Sequence, residues 1–295
     1  MGGQHAAEPT SLRVSAVTSS RTLALTAVAM LAFAGNSLLC RLALQHSSID
    51  PASFTTVRLL SGAMVLWALV RWQGQRPAGD WGSAAALFVY AAGFSYAYLS
   101  LSAGTGALLL FGAVQATMLG WGLWRGQRLG RGQTAGLVLA MGGLVALLLP
   151  GVTAPPAVGA LLMIAAGVAW GMYSLRGRGA GDATAVTAGN FVRAAALVVP
   201  LGLAGLPWAT FDPAGLLWAL CSGAVTSGLG YAVWYTALKG LQPTSSASVQ
   251  LSVPVLTALG GVAFLSEPVT LRLALCSLAI LGGIAWVIVG QRTTK

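Results

Sequence analysis

The chain has 295 residues, of which 56% are hydrophobic and only 7% are charged, and its formal net charge is +10. A soluble globular domain carries about 25% charged residues, so this composition excludes a water-soluble protein. The Lys and Arg residues lie mostly in short loops between apolar runs, which is typical of a membrane protein and not of a nucleic-acid-binding surface. We predict an all-α polytopic membrane protein that resides in the lipid bilayer and binds no nucleic acid.

Apolar segments follow one another along the chain, and several reach the length of about 18 residues at which a helix can cross a membrane. Ten such segments are predicted as transmembrane helices, at 22–45, 51–71, 82–101, 104–124, 133–150, 156–176, 184–206, 214–238, 243–265 and 271–290. The flanking stretches 1–21 and 291–295 are predicted to be tails. The first segment is too long for the apolar core of a signal peptide, so we interpret it as a true first helix.

The distribution of positive charge predicts the orientation. If the N-terminus is cytoplasmic, the inner segments hold twelve Lys and Arg residues, whereas the outer loops hold only Arg272. Cytoplasmic loops carry the excess of positive charge in membrane proteins, so both tails are predicted to be cytoplasmic.

Four short stretches of the first half recur in the same order in the second half, at offsets of 135 to 140 residues. The pairs are TTVR at 55–58 with NFVR at 190–193, NSL at 36–38 with YSL at 173–175, Phe94 and Tyr98 with Tyr231 and Tyr235, and MGGLV at 141–145 with LGGIA at 281–285. We interpret them as a duplicated five-helix unit, at 22–150 and 156–290. Because five is odd, the second copy enters the membrane from the opposite side. The result is two inverted repeats, as in many secondary transporters, with the substrate site near the midplane.

The stretch 243–290 contains a central proline, Pro254, a short acidic turn, SEPVT at 266–270, and a glycine pair, Gly282–Gly283. With these features it resembles the last two helices of the repeat in the EamA-type branch of the drug/metabolite transporter superfamily. Within that branch, the chain is most similar to bacterial amino-acid exporters, including the aromatic amino-acid exporters. The resemblance implies ten helices in the bacterial inner membrane and the export of small metabolites.

The resemblance covers roughly residues 22–290, but the first half departs from the family pattern. Gln115 stands near the position where a proline is expected, and RGQRL at 125–129 replaces the acidic turn. The motifs that carry the resemblance are structural. They therefore indicate the fold more strongly than the substrate.

Three arginines lie within predicted helices, where a charge at the bilayer centre costs about 2.5–3.5 kcal/mol. Arg58 is seven residues into the second segment and Arg193 about nine residues into the seventh, at related depths from opposite faces. Each of these two either ties its helix end to carbonyls or lipid phosphate, or lines an entrance and attracts a substrate carboxylate or phosphate. Arg41 lies near the outer end of the first segment, and we expect its side chain to snorkel to the interface.

The candidate substrate-binding residues combine two of these arginines with deep aromatic and polar side chains. A cavity with apolar walls and a few polar tips suits an amino-acid side chain. The alternatives are an interfacial belt or packing for the rings, and hydrogen bonds between helices for the polar groups. The candidates are Asn36, Arg58, Tyr90, Phe94, Gln115, Trp170, Tyr173, Asn190, Arg193, Tyr231, Tyr235 and Gln250.

The six acidic residues and the two histidines all lie in the tail, in loops or at helix ends. No carboxylate or histidine is therefore predicted to relay a proton through the core, and transport uncoupled from protons is expected. The sequence contains no Gly-rich phosphate loop with a lysine, no metal-ligand cluster and no nucleophile–base pair. We therefore expect no cofactor, no metal site and no catalytic residues. This expectation argues against an intramembrane enzyme, which is the competing class of protein.

These observations together predict a secondary transporter that exports neutral or aromatic amino acids, or related small metabolites, by alternating access. The alternative substrate class is anionic metabolites such as sugar phosphates, which two or more positive residues facing one cavity would favour. A passive channel or scaffold is disfavoured by the inverted repeat. A monomer and a homodimer are equally compatible with the sequence.

Overall fold

The structure is a computed structural model that describes residues 20–290, except 127, 152, 178–180 and 242. Apart from residues 20 and 21, the predicted tails lie outside the described residues. All regular elements in the described ranges are helical. They are α1 (Ser20–His46), α2 (Pro51–Trp72), α3 (Trp81–Ala97), α4 (Ala103–Trp124), α5 (Arg131–Leu148), α6 (Ala157–Arg176), α7 (Ala183–Gly205), a 3₁₀ turn (Leu206–Trp208), α8 (Pro213–Leu220), a π-helical stretch (Cys221–Leu229), α9 (Gly230–Leu238), α10 (Pro243–Gln250), α11 (Ser252–Leu265) and α12 (Leu271–Gly290).

Nine helical stretches among the described residues are long and apolar enough to cross a membrane, so the chain is a multi-pass membrane protein. The predicted third segment, 82–101, corresponds to α3. This helix ends at Ala97 and has only 17 residues, which is about 26 Å of helix at 1.5 Å per residue. A turn at 98–101 ends it early. The structure thus shows nine stretches of spanning length where the sequence predicts ten.

The predicted eighth segment, 214–238, is a continuous rod made of α8, the π-helical stretch and α9. In π geometry each N–H bonds to the carbonyl five residues earlier, which widens the helix and is frequent at functional sites. A Cβ at Gly223 would lie 2.2 Å from the carbonyl oxygen of Arg58. The missing side chain therefore allows α2 to pack directly on the π-helical stretch.

The predicted ninth segment, 243–265, is divided at Leu251 into α10 and α11. The cause is Pro254, which has no N–H and whose ring clashes with the carbonyl four residues earlier, that of Gln250. The helix therefore ends at Gln250 and begins again at Ser252.

Four helices begin at an aspartate whose carboxylate accepts backbone N–H groups of the first turn. They are Asp50 before α2, Asp80 before α3, Asp182 before α7 and Asp212 before α8. An aspartate cap stabilises a helix by about 0.5–2 kcal/mol relative to alanine. The same residue type thus determines where the second and third helices of each half begin.

Asp50 and Asp212 also join the two halves at one end of the bundle. Asp212 Oδ2 accepts from the backbone N–H of Ser48 at 2.7 Å, and Asp50 Oδ2 accepts from that of Thr210 at 3.1 Å. Burial alone would raise the pKa of Asp50, but hydrogen bonds from the first turn of α2 and from Thr210 outweigh it and lower the pKa.

Asp80 and Asp182 join the halves at the opposite end of α2. Asp182 Oδ2 accepts from Gln75 Nε2 at 2.9 Å, and Asp80 Oδ1 accepts from Arg176 Nη2 at 2.7 Å. The hydrogen bond from Gln75 lowers the pKa of Asp182. Hydrogen bonds from Ser83 and then from Arg176 lower the pKa of Asp80. Capping aspartates therefore bridge the two halves at both ends of the bundle.

Candidate substrate-binding site

A small aromatic chamber lies in the middle of the bundle, between α1, α3, α4, α6 and α9. Its walls come from both halves of the chain and consist of Phe33, Asn36, Ser37, Tyr90, Phe94, Leu110, Phe111, Trp170 and Tyr231. The void inside is about 20 Å³, which holds about one water molecule. The chamber is therefore too small for a metabolite in this conformation, and a metabolite fits only after the walls separate.

Contacts between aromatic rings close the chamber. Trp170 lies between Tyr90 and Tyr231, with ring centroids 4.9 and 5.1 Å away, and Phe33 meets Tyr231 edge-on at 5.8 Å. Tyr90 and Phe94 are one helical turn apart, so they share a face of α3, and their centroids are 5.4 Å apart. The result is an apolar box with a few polar tips, which suits a small aromatic or aliphatic group.

Arg58 lies directly behind Tyr90 and Phe94 and is only 1% exposed. Its guanidinium carbon is 5.2 Å from the Tyr90 ring centroid and 4.9 Å from that of Phe94. Nη2 donates to the Tyr90 hydroxyl at 3.1 Å, and Nε donates to Ser227 Oγ of the π-helical stretch at 3.3 Å. Nη1 is buried and has no hydrogen-bond partner among the residues that the structure describes. A positive charge thus lies against the wall of the aromatic chamber.

Asn36 connects the chamber wall to the π-helical stretch. Its Nδ2 donates to the Tyr90 hydroxyl at 3.3 Å, and its Oδ1 accepts from Ser222 Oγ at 2.7 Å and from Thr226 Oγ1 at 3.3 Å. All four side chains are buried, so each polar group needs a partner inside the bundle. This network holds the Tyr90 hydroxyl at a defined place in the wall.

A wider cavity of about 530 Å³ lies at the end of the bundle where α1 ends, and we call it the vestibule. Turns at 100–102, 153–156 and 266–270 surround it, and Arg41 and Glu267 lie in its wall. Ligand pockets in proteins typically have volumes of about 300–1,000 Å³. The vestibule is therefore large enough to admit a small metabolite.

Arg41, expected to snorkel to the interface, is instead only 7% exposed. Its Nε donates to Glu267 Oε1 at 2.9 Å, and its Nη1 donates to the Tyr98 carbonyl at 2.8 Å. Glu267 Oε2 accepts from the backbone N–H of Ala103, at the start of α4, at 2.7 Å. The snorkelling prediction is wrong because the turn after α11 folds inward and brings its carboxylate to the guanidinium.

Tyr98 lies between the vestibule and the aromatic chamber. Its ring is fully buried and meets Phe94 edge-on, with centroids 4.8 Å apart. Its hydroxyl donates to the carbonyl of Ala103 at 3.3 Å. A Cβ at Gly106 would lie 2.4 Å from this ring, so only a glycine leaves room for the Tyr98 ring to pack against α4. The aromatic side chains of Phe94 and Tyr98 thus lie between the vestibule and the aromatic chamber.

Known proteins resemble this chain along most of its length. An uncharacterized protein of Pseudomonas aeruginosa is 60% identical over 272 residues, which cover 91% of this chain and 94% of that protein. An uncharacterized transporter of Archaeoglobus fulgidus is 27% identical over 256 residues, which cover 81% of this chain and 88% of that protein. The model of the EamA-like transporter family matches residues 157–289. The second half of the chain is thus similar to the EamA-like transporter family.

A solved crystal structure of another protein is similar to this structure, with a TM-score of 0.63 over 92% of this chain and 98% of that chain. The two sequences are 21% identical, so the likeness concerns the fold alone. Members of the EamA-like family belong to the drug/metabolite transporter superfamily and carry small molecules across membranes. The match at residues 157–289 and the likeness to an uncharacterized transporter favour a transporter over an intramembrane enzyme.

Five of the twelve predicted substrate-binding residues line the aromatic chamber. Arg58 lies behind the wall and is not part of its lining. It therefore does not line an entrance, as one interpretation of the sequence proposed, but lies deep in the bundle. The predicted residues in the lining are Asn36, Tyr90, Phe94, Trp170 and Tyr231.

A second group of predicted residues, Tyr173, Asn190 and Tyr235, lies next to the chamber. Tyr173 stacks on Trp170 with centroids 5.3 Å apart, and Tyr235 lies beside Tyr173. Asn190 Nδ2 donates to the Tyr173 hydroxyl at 3.5 Å, and its Oδ1 accepts from the backbone N–H of Asp80 at 3.0 Å. The group therefore connects the chamber to the end of the bundle opposite the vestibule.

Three predicted residues lie away from the chamber. Arg193 Nη1 donates to two backbone carbonyls, one of them that of Ala78 at 3.0 Å, which fits the helix-end interpretation. Gln115 lines a separate void of about 10 Å³ between α4, α5 and α12. Gln250 Nε2 donates to the carbonyl of Ser246 in its own helix at 3.4 Å. The roles of these three in substrate binding stay predictions.

The candidates named from the sequence omit Phe33 and Phe111 of the chamber wall and Ser222 of the Asn36 network. Phe33 is three residues before Asn36, so helical spacing places both on one face and was an available signal. Phe111 had no comparable signal, because apolar residues surround it throughout α4. Ser222 became a partner of Asn36 only through packing of the π-helical stretch on α1.

Proposed function

We propose that this transporter is a secondary carrier that exports neutral or aromatic amino acids, or related small metabolites, by alternating access. The observation that carries the proposal is the small aromatic chamber, whose walls come from both halves of the chain. Alternating access needs a central site that is closed to one side while it opens to the other. Displacement of Phe94 and Tyr98 would connect the chamber to the vestibule.

The inverted repeat is part of this proposal, and two features support it. Phe94 and Tyr231, which pair in the repeat alignment, both line the chamber. The capping aspartates of α2 and α3 recur before α7 and α8, each at an offset of 132 residues. Equivalent helices of the two halves therefore begin with the same type of N-cap residue.

The proposal counts α3 as a tenth crossing, since helices of about 17 residues are at the short end of the spanning range. With ten crossings both tails lie on one side, and the excess of Lys and Arg assigns that side to the cytoplasm. The vestibule then faces away from the cytoplasm. We assign the transporter to the bacterial inner membrane, in line with its resemblance to bacterial exporters.

The charge next to the chamber favours amino acids over sugar phosphates. Arg58 contacts the chamber wall, whereas Arg41 pairs with Glu267 and Arg193 bonds to backbone carbonyls. A doubly charged phosphate would call for a second cation. A single guanidinium matches a single carboxylate, and the ring-lined walls match an apolar side chain.

The proposal includes transport that is not coupled to protons. The residues that line the aromatic chamber include no Asp, Glu or His, and these are the side chains that relay protons in membrane proteins. In proteoliposomes with equal substrate on both sides and an imposed pH difference, we expect no net accumulation. Accumulation that a protonophore abolishes would contradict this part of the proposal and would direct attention to Glu267 of the vestibule.

The test of the whole proposal is transport by the purified protein in liposomes. A panel of neutral, aromatic and phosphorylated compounds, each offered against a labelled amino acid in counterflow, separates the two substrate classes. We expect neutral or aromatic amino acids to compete. Competition by sugar phosphates alone would replace the substrate assignment, and the absence of any counterflow would refute the proposed function.

A further inference from the structure

The buried guanidinium of Arg58 has no anionic partner in the part of the chain that the structure describes. The two ion pairs found there, Arg41 with Glu267 and Arg176 with Asp80, both lie elsewhere. Within the described ranges, Arg58 bonds to neutral hydroxyls and contacts ring faces. Removing a charge from water is costly unless an opposite charge compensates it. Arg58 therefore holds a charge that a ligand can neutralise.

Two hydrogen-bond donors are available for such a ligand, one on Arg58 and one on Tyr90. Nη1 of Arg58 is buried, and none of the described residues forms a hydrogen bond with it. The Tyr90 hydroxyl oxygen accepts from both Arg58 Nη2 and Asn36 Nδ2. A hydroxyl carries one donor beside its acceptor sites, so the proton of Tyr90 is left to donate to a further group. Tyr90 itself lines the aromatic chamber.

We infer that Arg58 and Tyr90 form the site that binds a carboxylate group of the transported substrate. This inference rests on the proposed transport function and narrows its substrate class to compounds with an apolar body and a carboxylate. Once the chamber widens, the carboxylate accepts from the Tyr90 hydroxyl and from the free edge of the guanidinium. The apolar part of the substrate then lies among the rings of Phe94, Trp170 and Tyr231. An amine without a carboxylate meets an uncompensated positive charge instead.

The experiment compares pairs of compounds that differ in the carboxylate alone. Neutral and aromatic amino acids, each paired with the amine formed by its decarboxylation, compete in counterflow with wild-type protein in liposomes. A hydrogen bond to a charged group contributes about 1.5–3 kcal/mol, so we expect the carboxylate member to compete at a concentration at least about tenfold lower. Equal competition within the pairs overturns this inference while leaving transport intact. Failure of every compound refutes the transport proposal, and this inference with it.

Variants of Arg58 supply the second measurement. Arg58→Gln should remove the preference for the carboxylate member, and Arg58→Lys should retain part of it, because a point charge replaces the guanidinium fork. Arg71→Gln, at the exposed last turn of the same helix, is the matched control and should keep the wild-type preference. An Arg58→Gln protein that keeps that preference overturns the inference. If this variant does not fold, the wild-type pairs and Arg58→Lys decide the question.

Discussion

The ion pair between Arg41 and Glu267 makes a quantitative prediction about stability. Both side chains are nearly buried, with exposed fractions of 9% and 11%. Glu267→Gln keeps the shape of the side chain but removes its charge. Arg41 then lies buried without a counterion, and breaking a buried pair in this way costs about 3–5 kcal/mol. We expect the free energy of unfolding to fall by that amount.

The exposed pair between Arg176 and Asp80 offers a matched control. Its side chains are 48% and 50% exposed, and exposed pairs contribute about 0–1 kcal/mol. Asp80→Asn makes the same carboxylate-to-amide change and retains a side chain that can cap α3. Its free energy of unfolding should therefore stay within about 1 kcal/mol of the wild type.

The assay is reversible unfolding of both variants in the same mixed micelles, followed by tryptophan fluorescence from the 10 tryptophans. The double variant Arg41→Met, Glu267→Gln should lose less than the sum of its single changes, because neither charge is left alone. Equal losses for Glu267→Gln and Asp80→Asn, or a loss below about 1 kcal/mol for Glu267→Gln, would refute the argument from burial.

Three further predictions concern orientation, the chamber and pH. A cysteine at Arg76 should be shielded from an impermeant thiol reagent added outside intact cells, and one at Asp212 should react; the reverse pattern would invert the orientation. Tyr231→Ala should lower transport in liposomes more than Trp72→Ala, because Trp72 is 86% exposed and lies outside the chamber; equal losses would contradict a binding role for the ring. The pKa of Asp182 is lowered from its ordinary value of 3.8 by the hydrogen bond from Gln75. The stability that the Asp182 carboxylate contributes is present above pH 3.8 and is lost as the pH falls through the lower folded-state pKa. Asp182→Asn should therefore weaken the acid dependence of the unfolding free energy. An unchanged pH profile would argue against this role of Asp182.

Local sequence determined the positions of most helices. Length and hydropathy are properties of neighbouring residues, so the predicted segments 51–71 and 271–290 match α2 and α12 to within one residue. Aspartate caps act within one turn, and they fix the starts of helices such as α7. Departures occur where the backbone itself changes geometry. Pro254 divides the predicted segment 243–265, and a turn shortens α3.

The site depended on the sequence in part and on packing for the rest. The spacing of Tyr90 and Phe94 along one helix was enough to indicate that both rings lie on the same face and share a wall. The packing of α3, α6 and α9 decides the other contacts of this wall. It brings Trp170 into contact with both Tyr90 and Tyr231. Helical periodicity predicts which face a residue occupies but not which helix that face contacts.

The arginines illustrate why tertiary structure was needed. Arg58 and Arg193 stand in matching motifs, yet one is fully buried beside the chamber and the other bonds to carbonyls at the edge of the bundle. Arg41 meets its carboxylate on Glu267, 226 residues further along the chain. The effect of a charge depends on the groups within a few ångströms of it and on how far water is excluded. Composition determined that this protein lies in a membrane, whereas the folded arrangement alone decided which charges of the described residues are paired with an opposite charge and which are not.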